Sequence, residues 1–322
     1  MNSNLLTARR ATILVPGGLG NQLFSYFMAL YVKENTIAAV ELDFRNTDRV
    51  HYKNSISLLD FDLNFTELEL AKKSKRTVFK SSQIFQSTAY KKIVGKIDKK
   101  RSILFRPGFD SKNHVHDFLE TWQGSHRFKI KIEGYFGDFA FYDHLKEKTR
   151  ALELLNPSKK FRELSLRIES LQAVAIHHRL GDFINLSESV GLLGKKFYSE
   201  AINQALSFGC KNLLIFSNQP KLSKAIFESW GLTDTKIDWI GPETIRSPAE
   251  TLVLMSKASA IVCANSTFSF WAAKLSEKSN SKIYFPALWR RDKVEGIRSI
   301  PRQWTPIATD WSNGEIAAKV CL

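Results

Sequence analysis

Three times along this chain an apolar, β-branched run stops at a cluster of glycine and polar side chains, and that pattern constrains the fold more than any other feature. Ala11-Thr12-Ile13-Leu14-Val15 reads as a buried strand that breaks into Pro16-Gly17-Gly18-Leu19-Gly20-Asn21-Gln22. Leu23, Phe24, Phe27, Met28, Leu30 and Tyr31 then follow at helical spacing. Ala173-Val174-Ala175-Ile176 ends in His177-His178-Arg179-Leu180-Gly181-Asp182-Phe183, and Ser259-Ala260-Ile261-Val262-Cys263 ends in Ala264-Asn265-Ser266-Thr267. Open α/β sheets bind ligands just past the carboxyl ends of their strands, which is where all three polar clusters fall.

The second half alternates in the same way. Strands are expected at 173–176, 213–216, 237–240, 260–263 and 282–285, with helices near 196–208, 221–229, 248–257 and 269–276 between them. That rhythm predicts a parallel, doubly wound sheet. The first half carries a second strand at Ala38–Asp43, a strand around Phe128–Phe136 and a helical stretch over Leu145–Leu155. Asn156-Pro157 interrupts the chain there and divides it into expected domains at 1–156 and 157–322, a length that suits two cores.

Composition narrows the function classes. Hydrophobic and charged contents of 43% and 25% are those of a soluble globular protein, and no run approaches a membrane span. Met1–Arg10 lacks the apolar core of a signal peptide, and Cys210, Cys263 and Cys321 form no metal or disulfide framework, so a reducing cytoplasm is expected. The net charge of +15 is concentrated: Lys72–Arg101 holds eleven Lys/Arg against the single acid Asp98, interleaved with Val78, Phe79, Ile84, Phe85, Tyr90, Ile93, Val94 and Ile97. A basic amphipathic stretch favours an anionic membrane surface, here the inner face. The alternative is a solvated helix face, and nucleic-acid recognition motifs are absent.

The three loops supply anion-binding chemistry. The glycine turn, Gly18 and Gly20 included, sets free backbone N–H groups and a positive helix end at one point, with the amides of Asn21 and Gln22 at its mouth. Arg179 offers a planar cationic fork suited to a diphosphate, Asp182 can orient it, and His177 can donate to a phosphate or sugar oxygen. His178, one residue on, points the other way and reads as structural. Asn265, Ser266 and Thr267 are helix N-cap residue types that can also cradle a phosphate. Read as a dinucleotide site, Gly17-Gly18-x-Gly20 with Asp43 misses the G-x-G-x-x-G spacing and leaves the later loops unused.

Gly17-Gly18-Leu19-Gly20-Asn21-Gln22-Leu23-Phe24, His177-x-Arg179-x-Gly181-Asp182-Phe183 and Ala264-Asn265-Ser266-Thr267-Phe268-Ser269-Phe270-Trp271 together resemble the successive signatures of the α-1,2-fucosyltransferases of glycosyltransferase family 11. Glu133-Gly134-Tyr135-Phe136, Leu254-Met255-Ser256 and Phe285-Pro286-x-x-Trp289 fit in the expected order. The resemblance implies a GT-B-like α/β fold, two Rossmann-like domains facing a cleft, with the second binding the nucleotide. It implies inverting, metal-independent transfer of fucose from GDP-β-L-fucose to the 2-hydroxyl of a β-galactoside, with no cofactor. The lack of a span or signal, with the basic segment, leads us to expect an enzyme of surface polysaccharide synthesis on a lipid carrier. By the same resemblance Arg179 anchors the diphosphate with His177 beside it. Asn21 lies near the reaction centre, and Ser266 and Thr267 line the nucleotide pocket.

Asp182 and Glu188 are the candidate bases. A non-catalytic or differently specific sugar-nucleotide binder is the alternative. Asp60-x-Asp62 imitates the acidic pair of metal-dependent glycosyltransferases but alternates with Leu59, Phe61 and Leu63 like a structural strand edge. The chain departs from the family pattern at Leu180, Asn218, Thr251 and Phe270.

Overall fold

A computed structural model of the chain describes residues 9–44, 56–63, 69–70, 103–108, 112–123, 129–138, 142, 152–232, 237–276, 281–292 and 300–312. The basic segment 72–101 lies outside these residues. Two compact units divide the chain: Met1–Ile56 with Asn64–Phe141, and Ser57–Leu63 with Tyr142–Leu322. No helix among the described residues is long and apolar enough to cross a membrane.

In the amino-terminal unit, β1 (Arg10–Leu14) leads through the glycine turn into α1 (Leu19–Asn35), then β2 (Ala39–Asp43), β3 (Glu69–Leu70), β4 (Ile103–Gly108), α2 (Lys112–Gln123) and β5 (Lys129–Gly134). The strands form one parallel sheet in the order β3-β2-β1-β5-β4. Its register explains the alternation in the sequence. Ala11 and Ile13 lie beside Val40, Leu42, Ile130 and Ile132 on a buried face, whereas Thr12 sits between Glu41 and Lys131. The Thr12 hydroxyl donates to Glu41 at 2.6 Å, and Arg10 donates to the other carboxylate oxygen at 3.0 Å. At the carboxyl end the row is Asp43, Leu14, Glu133. From Leu19 to Val32 every residue of α1 but Asn21 is buried, so the helix is held by packing on nearly all sides rather than by one amphipathic face.

The carboxy-terminal unit continues with α3 (Lys159–Ser170), β6 (Ala173–His177), α4 (Asp182–Asn185), β7 (Leu192–Leu193), α5 (Lys195–Ser207), β8 (Asn212–Phe216), α6 (Pro220–Ser229) and β9 (Ile237–Ile240). It ends with α7 (Pro248–Met255), β10 (Ala260–Val262), α8 (Thr267–Ser276), β11 (Lys282–Pro286), β12 (Thr305–Ile307) and β13 (Trp311–Ser312). Six strands make a parallel sheet in the order β12-β11-β10-β6-β8-β9, while β13 pairs antiparallel with β7. β6 and β10 are buried at every position, as continuous apolar runs in a helix-covered parallel sheet must be. From β6 the chain winds outward to β9, then returns to β10 and winds the other way. The order therefore reverses between β6 and β10.

Two expectations change. Leu152–Leu155, the described end of the expected helix over 145–155, is extended: Leu154 forms an antiparallel bridge with Phe61, and backbone bonds join Asp62 to Glu153 (2.7 Å) and Leu155 to Asp60 (2.9 Å). This pairing ties Ser57–Leu63 and the residues before Asn156-Pro157 into the carboxy-terminal unit, so the partition falls near Phe141. Ser57–Asp60 is a 3-10 turn rather than a strand edge, and the Asp60 carboxylate accepts from Ser247 at 2.9 Å.

Ser158 and Glu250 interlock α3 and α7. Ser158 caps α3 by accepting from the Phe161 N–H. The Glu250 carboxylate accepts from the Ser158 N–H (2.5 Å) and hydroxyl (3.0 Å), while Ser247 caps α7 through the Glu250 N–H.

Candidate functional site

The crevice outside the carboxyl ends of β6 and β10 is where a doubly wound sheet has room for a ligand, because the connections on either side lead away in opposite directions. Both polar loops of the second half open there. The β6 loop is anchored twice before it turns. The Tyr198 hydroxyl donates to the His177 carbonyl at 3.0 Å, and the His178 N–H donates to Phe216 at 2.9 Å. The His178 ring is buried among Tyr198, Phe227 and Trp230, with its Nδ1 hydrogen bonded to the Ser223 hydroxyl at 2.6 Å, the structural role its alternation predicts.

Asn218 then clamps the loop from β8. Its Oδ1 accepts from the Leu180 N–H (3.0 Å) and its Nδ2 donates to the Leu180 carbonyl (3.3 Å). Gly181 follows at φ +68°, and a Cβ there would strike the Asn218 amide, so both conformation and space require glycine. The sequence marks Asn218 only as a departure from a family pattern. Its position directly after β8, level with the other strand ends, is the signal that could have found its role.

Within the loop, Arg179 Nη2 donates to Asp182 Oδ1 at 2.5 Å, and the guanidinium carbon lies 5.4 Å from the centre of the Phe183 ring. Arg179 Nε and His177 Nδ1 are both buried and find no hydrogen-bond partner among the described residues. Burial, then the Arg179 charge, then His178 push the His177 imidazole down to about 3, so it is neutral at physiological pH. The His177 ring meets Phe268 at a centroid distance of 5.5 Å, which joins the β6 loop to the start of α8.

At that start Ser266 is buried and its hydroxyl accepts from the Phe268 N–H at 3.3 Å, with Thr267 opening the helix. Asn265 has another task. Its Nδ2 lies within bonding distance of three carbonyls, Val190 (3.1 Å), Gly191 (3.2 Å) and Trp289 (3.3 Å), and so ties the β6, β10 and β11 loops together. Glu188 is 86% exposed and lies 3.5 Å from Arg291.

His177, Arg179, Asp182, Ser266 and Thr267 thus lie on the two neighbouring loops that follow β6 and β10, with Asn265 tying those loops together. Gly18, Gly20, Asn21 and Gln22 belong to the amino-terminal unit. There Gly18 caps α1 with its carbonyl, accepting from the Asn21 and Gln22 N–H groups at 3.0 and 3.1 Å. Gln22 is turned inward, fully buried, and donates to the Gly17 carbonyl at 3.0 Å; Asn21 remains partly exposed. Chemically, the β6–β10 crevice offers a held guanidinium, a neutral imidazole and a helix amino end, all donors to an anion.

The sequence model of glycosyl transferase family 11 matches residues 11–299. An α-1,2-colitosyltransferase of Escherichia coli is 24% identical over 301 residues, 90% of this chain and 96% of the relative. The O-antigen biosynthesis glycosyltransferase WbnK of Escherichia coli is 22% identical over 287 residues, 85% and 92% of the two chains. Among solved structures, the fucosyltransferase NodZ from Bradyrhizobium superposes with a TM-score of 0.48 and 13% identity, over 82% of this chain and 92% of that one. The family match spans both units and all three motif loops: the chain belongs to glycosyl transferase family 11.

Proposed function

We propose that this glycosyltransferase moves L-fucose, with inversion, from GDP-β-L-fucose to the 2-hydroxyl of a β-galactoside, in a GT-B-like arrangement and without a metal ion. The observation that carries the reading is the pair of buried, unpartnered polar atoms, Arg179 Nε and His177 Nδ1, at the strand-order reversal. Buried polar atoms are rarely left unbonded, and two together at a ligand crevice call for a guest with several acceptor oxygens.

As the sugar–oxygen bond breaks, charge grows on the leaving diphosphate. Arg179 answers it with donors already oriented by Asp182, and the α8 amino end adds its partial positive charge. Asp182, engaged with that arginine, serves as its positioning partner. A neutral His177 can donate from one ring nitrogen without bringing a second full charge beside Arg179.

The colitosyltransferase relative favours a second reading of the donor, in which the same crevice carries a nucleotide-activated colitose instead of fucose. In either case the reading includes an acceptor glycan on a lipid carrier at an anionic membrane face, contacted by Lys72–Arg101.

The test is GDP titration by calorimetry, followed by transfer from GDP-fucose to β-galactosides in excess EDTA with product linkage read by NMR. Arg179→Ala should cost about 2–4 kcal/mol of transition-state stabilisation, roughly 30- to 1000-fold in rate. Full turnover by this variant, or wild-type loss of activity in EDTA with recovery on Mn²⁺, overturns the assignment. GDP binding without transfer of any sugar would make the chain a sugar-nucleotide binder.

A further inference from the structure

Helix α5 packs over β10, β11 and β12. These strands are parallel, so Lys282 and Thr305, the first residues of β11 and β12, mark the end of the sheet opposite the crevice at β6 and β10. There the last turns of α5 and the two strand starts line an open groove of about 500 Å³, within the roughly 300–1,000 Å³ of small-ligand clefts. β12 is the edge of the sheet, so no further strand among the described residues walls the groove on that side.

The groove combines one aromatic ring with uncharged polar groups. Phe208, the C-cap of α5, is 51% exposed, and the Lys282 ammonium lies 5.3 Å from its ring centre. Tyr284 is only 5% exposed yet lines the groove, and its hydroxyl has no hydrogen-bond partner among the described residues. Burial raises its pKa, so the phenol remains a neutral donor. A hydroxyl so nearly buried calls for a polar guest. The side chains of Asn203 and Thr305 are likewise without hydrogen-bond partners among the described residues. Gln204 donates to Glu200 at 2.7 Å, which leaves that carboxylate able to accept more.

The formal charges of Glu200 and Lys282 cancel, and the helix end beside Phe208 adds partial negative charge. An anion gains nothing there, whereas hydroxyls that both donate and accept match the carboxylate, the amides and the phenol alike. We propose that this groove is a second, non-catalytic glycan site for a neutral oligosaccharide, with Phe208 packing on the C–H face of one sugar and Tyr284, Asn203 and Glu200 bonding its hydroxyls. An aromatic ring covers the apolar face of a pyranose, and a carboxylate takes hydroxyl protons in charge-assisted bonds. The site goes beyond the transfer reading: it lies at the other end of the sheet from Arg179 and holds a long glycan by sugars that do not react. A chain held there has its remaining sugars at raised effective concentration around the enzyme.

The probe is β-1,4-galactohexaose, with methyl β-D-galactoside as the short comparison. Saturation-transfer NMR and calorimetry on the full chain need no donor. Phe208→Ala should weaken hexasaccharide binding about tenfold, with melting temperature and GDP affinity unchanged. Phe208→Trp keeps an aromatic ring and should stay within about threefold of wild type. In transfer assays Phe208→Ala should raise the KM for the hexasaccharide while the KM for methyl β-D-galactoside holds, a split that a damaged fold would not give. A wild-type chain that fails to bind the hexasaccharide at millimolar concentration, or equal binding by wild type and Phe208→Ala, overturns the proposal. Binding that depends on Phe208 in a chain that neither binds GDP nor transfers fucose would sink the transfer reading and leave the groove standing.

Discussion

His177 and His178 stand side by side at the end of β6, and burial drives both imidazoles down to about 3. An unfolded histidine titrates near 6.5, so between these values the unfolded chain binds protons that the folded chain refuses. Stability is therefore complete above about pH 6.5 and falls as the pH drops, by about 1.4 kcal/mol per pH unit for each histidine. Urea denaturation between pH 6.5 and 5 should show this slope, and His178→Gln, whose amide can still bond Ser223, should remove about one proton's share of it. An unchanged slope would mean that His178 is not held neutral.

The strand-end logic located Arg179, Asp182 and His177 from sequence because polar residues directly after a buried strand have one place to be. It could not show which way an amide side chain turns. Gln22 and Asn265 carry the right chemistry at the right strand ends, yet one faces the turn carbonyl and the other bonds three loop carbonyls, and neither orientation is encoded by spacing.

Among the elements, α5 shows how a local sequence is completed from far away. Its N-cap is Gly194, which has no side chain to offer, and the missing acceptor is Asp310. Asp310 Oδ1 accepts from the Phe197 N–H at 2.6 Å and Oδ2 from the Lys196 N–H at 3.2 Å, across 113 residues in the first case. A carboxylate at a helix amino end also complements the helix dipole. Asp310→Ala should cost about 1–2 kcal/mol and lower the melting temperature by several degrees, read by circular dichroism. A change under about 0.3 kcal/mol would show that water replaces the cap.

This contact was illegible because nothing near Lys195 announces it. α3 is encoded locally, by Ser158 as cap and by Phe161, Leu164 and Ile168 at i, i+3 and i+7, but its apolar face is sparse and obscured by charge. β6 and β8 are legible because buried parallel strands are nearly pure apolar runs, whereas Thr305–Ile307 is too short to carry a period.

For the whole molecule, the charge of +15 has a prediction of its own. Replacing Lys91, Lys92, Lys99 and Lys100 by Gln should weaken binding to anionic liposomes by about 1 kcal/mol per residue at low salt and flatten its salt dependence. Transfer to a small soluble galactoside should stay nearly constant. Full liposome binding with loss of that transfer would move the segment from the membrane to the acceptor.

The carboxy-terminal unit is discontinuous: it contains Ser57–Leu63 as well as everything from Tyr142 onward, with β12 at its sheet edge and Asp310 on α5. During synthesis its first piece therefore leaves the ribosome long before its last. At about 5–20 residues per second, the roughly 250 residues between Leu63 and Thr309 take some tens of seconds to make. Throughout that time Phe61 has no Leu154 and then α5 has no Asp310. The amino-terminal sheet can close on its own strands while the β6 and β10 strand ends wait, so the half of the protein that carries Arg179 is the last to be completed.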